Sequence, residues 1–176
     1  RTAIDTYGDI DIVVNNAGII RDAPLFAMEE ATFDAVTEVH LKGHFVNMRH
    51  AAAYWREKAK TSGGTVYGRL VSTSSEAFLY GSVGQPNYAA AKAGIVAMTM
   101  GAAQALVKYG VTANVIMPRA RTDMTMSGGT AAMFEKPAEG FDHFDPAHVA
   151  PFVGYLASPR AQRISGYVFV VWGKQV

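Results

Sequence analysis

The chain is 176 residues long, 49% hydrophobic and 18% charged, with a net charge of +1 and no cysteine. Such a length and composition suit one well-buried α/β domain, and the even charge balance gives no electrostatic ground for nucleic acid or a membrane surface. The lack of cysteine excludes disulfides, thiolate metal sites and cysteine nucleophiles, and it is compatible with the cytoplasmic compartment expected here.

Arg1–Gly8 (RTAIDTYG) reads as the last turns of a helix ended by Gly8. Asp9–Asn15 (DIDIVVN) is a β-branched apolar run, expected to be a buried parallel strand. Asn16–Gly18 turns at its C-terminal end, the edge of an open α/β sheet where ligands bind. A plain strand-to-loop turn is the alternative. After the loop Arg21–Glu30, one helix is expected from about Glu29 to Ala59. Phe33, Val36, Phe45, Met48, Ala52 and Trp55 recur on it at helical spacing and form its expected core face. His40 lies inside it, in VHLKG. It is either a participant in proton transfer, since histidine titrates near neutrality, or a satisfied buried histidine.

Lys58–Thr65 is a polar loop, and Tyr67–Thr73 is the next expected strand. Pro86 rigidifies the entry to a helix over Asn87–Tyr109, and Asn87 is its expected cap. Val111–Met117 is a further strand, ended by Pro118. Arg119 and Arg121 either meet phosphates or are solvated surface arginines. Met124–Asp142 reads as a loop carrying Gly128–Gly129, several methionines, Phe134 and Phe141. It is an adaptable apolar wall for a substrate or a surface insertion. Asp145–Ser158 is an expected helix with Asp145 as N-cap and Pro146 in its first turn. Tyr167–Val171 is the last strand. His143 and His148 lack companions at ligand spacing and read as packing or surface residues, so no metal site is expected. No apolar run approaches the roughly 20 residues of a membrane span, and no secretory leader is visible.

The chemistry concentrates at Ser75–Lys92, SEAFLYGSVGQPNYAAAK. Tyr88 and Lys92 stand four apart, so on a helix the phenol and the ammonium share one face. A lysine charge within a few ångströms favours the phenolate and is expected to lower the tyrosine pKa. Ser75, thirteen residues before Tyr88, leads the intervening loop; Ser72 and Ser74 are neighbouring alternatives. A serine and a tunable tyrosine on one substrate oxygen suit alcohol/carbonyl interconversion with a hydride from a cofactor.

This pattern resembles the short-chain dehydrogenase/reductase family. The similarity rests on Ser75, Tyr88 and Lys92 in register with NNAG at Asn15–Gly18, GRLVSTSS at Gly68–Ser75, ANVIMP at Ala113–Pro118 and ISGYVFVVWG at Ile164–Gly173. It implies a Rossmann-like three-layer sandwich around a mostly parallel sheet. It also implies an NAD(P)-dependent oxidoreductase acting on a small-molecule alcohol or ketone, and a homodimer or homotetramer. The catalytic set carried over is Ser75, Tyr88 and Lys92, with His40 as relay where most of the family has asparagine. Asn16, Ala17, Gly18, Tyr88, Lys92 and Thr122 are the implied cofactor-binding residues. NAD and NADP are not distinguished. Arg119 stands in place of the family's glycine after the strand-ending proline.

VHLKG and PRARTDMT are similar to the dehydrogenase unit of type-2 multifunctional β-oxidation enzymes, which implies a 3-hydroxyacyl thioester substrate. A 3-oxoacyl-carrier-protein reductase, a hydroxysteroid dehydrogenase and a non-catalytic scaffold are the alternatives. The family's glycine-rich strand–turn–helix for the pyrophosphate does not occur in these 176 residues. The chain is therefore expected to be the C-terminal two-thirds of one such domain, with the N-terminal half of the sheet missing.

Overall fold

The computed structural model describes residues 2–127 and 131–176. Helix α1 (Thr2–Tyr7) runs through Gly8 into strand β1 (Ile12–Asn15). Helix α2 (Glu30–Thr37), a π turn (Glu38–Lys42) and helix α3 (Gly43–Thr61) lead to β2 (Gly68–Thr73). Short helix α4 (Ala77–Tyr80) and long helix α5 (Pro86–Leu106) precede β3 (Val111–Pro118). Helices α6 (Asp123–Met126) and α7 (Ala150–Ala157) then lead to β4 (Val168–Val171).

The four strands pair in parallel in chain order, with Val14 beside Val71, Ser72 beside Val115 and Ile116 beside Phe169. Side chains alternate across a strand, so adjacent residues of β2 enter opposite cores. Leu70 joins Met48, Trp55, Ala103 and Leu106 beneath α3 and α5. Val71 joins Ile116, Leu156 and Val171 beneath α7. The result is the expected three-layer α/β sandwich of Rossmann type. Strand β1 lies at the edge, with Ile12 and Val14 43% and 45% exposed. Trp55 fastens α3 to the start of that strand by donating from Nε1 to the Ile10 carbonyl at 2.7 Å. Tyr54 and Lys58 hold Asp9.

The single helix expected over Glu29–Ala59 is instead two helices joined by the π turn. One extra residue per turn shifts the helical phase. It brings Val36 and Met48, twelve residues apart, onto the same buried side, whereas Phe33 and Phe45 stay largely exposed. Glycine at position 94 permits this packing, since a Cβ there would lie 2.7 Å from Leu41 of the π turn.

Strand β1 is shorter than expected, and the helix over Asn87–Tyr109 ends in a 3-10 turn at Val107–Tyr109. Asn87 does not cap α5; Gln85 occupies that position. Asn87 is buried and donates from Nδ2 to the Arg21 carbonyl at 3.0 Å. Asp145 caps a 3-10 turn (Pro146–His148) ahead of α7, accepting from the Ala147 amide at 2.9 Å. Helix α5 with its terminal turn is long and apolar enough, by length and composition, to cross a membrane, contrary to the sequence reading. It nonetheless packs against β2, β3, α2 and α3, with Ala91, Lys92, Ile95, Ala103 and Leu106 buried.

The stretch expected as an apolar loop, Met124–Asp142, is held down at both ends. Thr122 and Thr125 cap α6 reciprocally, and Arg121 pairs with Asp142 and donates to the Phe134 carbonyl at 3.0 Å. Phe134 meets Phe144 edge-on, and Phe141 stacks on His148. His143 lies against Phe141 and Trp172, so both histidines pack among aromatic rings. Arg1 and the Gly128–Gly129 pair lie outside the described residues.

Candidate active site

Parallel pairing brings the C-terminal ends of the strands to one edge, and with them the loops at Asn16–Gly18, Ser74–Glu76 and Arg119–Thr122. The first turns of α5 place Tyr88 and Lys92 at the same edge. Asn16 ties two strand ends together, its Oδ1 accepting from the Thr73 hydroxyl at 3.0 Å. Asn15 accepts from Asn47 of α3 at 3.0 Å. The asparagines thus brace the sheet, while Asn16 and Ala17 remain exposed.

Lys92 is 3% exposed. Its Nζ donates to the Thr73 carbonyl at 2.8 Å, and its own carbonyl accepts from Ser74 Oγ at 2.8 Å. Burial lowers the lysine pKa from 10.5 to about 8. Its Nζ lies 5.4 Å from the centre of the Tyr88 ring. Burial pushes the Tyr88 phenol above its ordinary value; the Ser75 hydroxyl beside it pulls downward, and Asp22 adds to the rise. The expectation that Lys92 lowers the phenol pKa is therefore corrected. The ammonium donates to the Thr73 carbonyl at the end of β2, and for the phenol desolvation dominates. Ser75 Oγ accepts from the Ala77 amide at 3.2 Å.

His40 completes the group from the π turn. It is 1% exposed and meets the Tyr88 ring edge-on at 5.1 Å. Its Nε2 lies 2.7 Å from the Ile19 carbonyl and 3.0 Å from the Ile19 amide. One tautomer donates to the carbonyl and the other accepts from the amide. The glycine at position 18 is explained by this ring, because a Cβ there would sit 2.3 Å from His40 Cε1. Burial, with the Lys92 charge second, lowers the His40 pKa to about 4, so the imidazole is neutral. His44 was not singled out in the sequence, although its i, i+4 spacing from His40 was visible. Its Nδ1 lies 2.7 Å from the His40 carbonyl, and its pKa is likewise lowered to about 4, first by burial. Asn15 Nδ2, His40 Nδ1 and Ser72 Oγ are buried at this end of the sheet with no hydrogen-bond partner among the described residues.

Thr122 is exposed, and its side chain caps α6. Arg119 and Arg121 are both engaged in ion pairs. Arg119 grips Glu76 with Nε at 2.6 Å and Nη2 at 2.7 Å, and Arg121 is paired with Asp142. Ser75, Tyr88, Lys92 and His40 lie near one another at the C-terminal edge of the sheet. Their donor set suits the nicotinamide–ribose half of a dinucleotide. The Lys92 ammonium has three donors and gives one to the Thr73 carbonyl.

Comparison with known proteins shows the family to which the chain belongs. The family model described as short chain dehydrogenase matches residues 1–132. The Hydroxyacyl-CoA dehydrogenase ChsB1 of Mycobacterium tuberculosis is 59% identical over 170 residues, covering 96% of this chain and 53% of that protein. The peroxisomal multifunctional enzyme type 2 of Mus musculus is 36% identical over 166 residues, covering 94% of this chain and 21% of that protein. The crystal structure of a short chain dehydrogenase from Mycobacterium avium superposes with a TM-score of 0.85 at 49% identity, covering 99% of this chain and 56% of that one. The chain thus spans about half the length of the first relative and of the solved structure.

Proposed function

This chain belongs to the short-chain dehydrogenase family, and within it we propose an oxidoreductase that interconverts a secondary alcohol and a ketone with a nicotinamide cofactor. The observation that carries the reading is the convergence of Tyr88, Ser75 and a buried Lys92 at the C-terminal edge of the parallel sheet. The cofactor, when bound, supplies or accepts the hydride. The remaining work falls on the chain's own side chains.

Ser75 and the Tyr88 phenol bind the substrate oxygen, which orients the carbon that changes oxidation state. In reduction, Tyr88 gives its proton to that oxygen; in oxidation, its phenolate takes the proton from the alcohol. Burial keeps the phenol protonated at neutral pH, which suits the acid role. The ammonium of Lys92 steadies the phenolate once the proton has left. Its pKa of about 8 lies close enough to neutral pH for Lys92 to pass a proton onward. His40, neutral and edge-on to Tyr88, offers Nδ1, which has no hydrogen-bond partner among the described residues, as the next station.

We propose a 3-hydroxyacyl thioester as the substrate. Its support is that relatives at 59% and 36% identity are named as a hydroxyacyl-CoA dehydrogenase and a peroxisomal multifunctional enzyme. The test is turnover of acetoacetyl-CoA and 3-hydroxybutyryl-CoA with each nicotinamide cofactor, for the wild-type protein and Tyr88→Phe. Removal of the phenolic proton is expected to lower kcat by about 10²–10⁴-fold. Equal turnover by both proteins would refute the assignment of Tyr88 as the acid/base.

A further inference from the structure

Ser75 is followed at once by Glu76, and then by only four helical residues, Ala77–Tyr80. So short a helix cannot hold its own position, and the Glu76 side chain does not cap it. The Glu76 carboxylate points instead across the sheet edge to Arg119, the first residue after Pro118. The pair is bidentate, with both bonds under 2.8 Å, and the Tyr80 hydroxyl adds a third bond to Glu76 at 3.1 Å. The Arg119 side is the rigid one. Its amide donates to the Val171 carbonyl of β4 at 2.9 Å, and its guanidinium lies over the Trp172 ring at 5.0 Å. The side chains of Glu76 and Arg119 are 14% and 36% exposed, so water competes only partly. Planar two-pronged pairs of this kind fix geometry as well as charge.

We propose that Glu76 and Arg119 are positioning residues for Ser75: the ion pair anchors the serine loop to the end of β3 and the ring of Trp172. Neither residue touches the reacting oxygen. Their effect runs through the place of the Ser75 hydroxyl, which accepts the Ala77 amide in the anchored loop. The consequence for rate rests on the dehydrogenase reading above, whereas the consequence for loop position does not.

The experiment measures two things on the full-length protein: hydrogen exchange of the Ala77 amide by NMR, and steady-state reduction of acetoacetyl-CoA. The variants are Glu76→Gln, Arg119→Gln, Arg119→Lys and the swapped pair Glu76→Arg with Arg119→Glu. Each Gln variant is expected to speed Ala77 exchange about tenfold or more. Each should also lower kcat and kcat/KM together by about 10- to 100-fold, as for a reacting group misplaced by an ångström. Arg119→Lys keeps the charge but loses the second prong and falls between. The swapped pair recovers part of both quantities. Exchange of the Ala113 amide, in the centre of β3, stays slow in every variant that keeps its fold. Should a Gln variant unfold, Arg119→Lys against the wild type decides. Unchanged Ala77 exchange in the single variants, or a swapped pair no better than they are, overturns the proposal. Wild-type protein that turns over no acyl thioester overturns the substrate assignment instead, and the exchange measurement still decides the anchor.

Discussion

Lys92→Met should separate the stability of this protein from its chemistry. The wild-type ammonium is buried, and its pKa falls from 10.5 to about 8, with desolvation as the cause. By linkage, a base with a lowered folded-state pKa opposes folding while charged, and the opposition fades as pH rises from about 8 to 10.5. The wild-type protein is therefore expected to gain about 2–3 kcal/mol from this group between pH 7 and pH 10. Methionine has nearly the same shape and no charge to desolvate. It loses the bond to the Thr73 carbonyl, a charge-assisted bond worth about 1.5–3 kcal/mol. At pH 7 the loss and the relief nearly cancel, so the variant should match the wild type to within about 1–2 kcal/mol while turnover is abolished. At pH 10 the wild type should lead by about 2–3 kcal/mol more than at pH 7. Urea unfolding of both proteins at the two pH values gives this difference directly, and groups common to both cancel. A stability gap independent of pH would refute the account of Lys92 as a desolvated cation.

Two further outcomes follow from the neighbouring residues. His40 and His44 both have pKa values lowered from 6.5 to about 4, so the folded state binds fewer protons there than the unfolded chain. Stability should be full above about pH 6.5 and drain as pH falls toward 4. In NMR both imidazoles should show no titration above pH 5, and a midpoint near 6.5 for either would contradict their burial as neutral rings. Gly18→Ala places a Cβ 2.3 Å from His40 Cε1, and a buried ring has little room to yield. Overpacking of this kind costs about 1–3 kcal/mol, measurable as a lowered Tm, and the variant should shift the His40 and Tyr88 ring resonances. An unshifted Tm would mean that the ring moves freely.

Much of the fold was legible in the sequence because its signals are local. The β-branched runs around Val13, Leu70 and Val115 mark buried parallel strands whatever surrounds them. The four-residue spacing of Tyr88 and Lys92 puts both on one helical face, and the loop from Ser75 leads into that helix. The π turn at Glu38–Lys42 was not legible, since an added residue in a helical pattern differs from an unbroken helix only in how it packs on Leu41 and Gly94. Nor were the partners of Arg119 and Arg121, because Glu76 and Asp142 lie 43 and 21 residues away and only the folded chain brings them into reach. The direction of the Tyr88 pKa also belongs to the tertiary structure. Sequence placed a lysine nearby and suggested a lowered value, but desolvation of the buried phenol raised it. Composition and spacing thus determined which groups carry the chemistry. Desolvation and long-range packing, which no local pattern encodes, decided their charge states and what holds them in place.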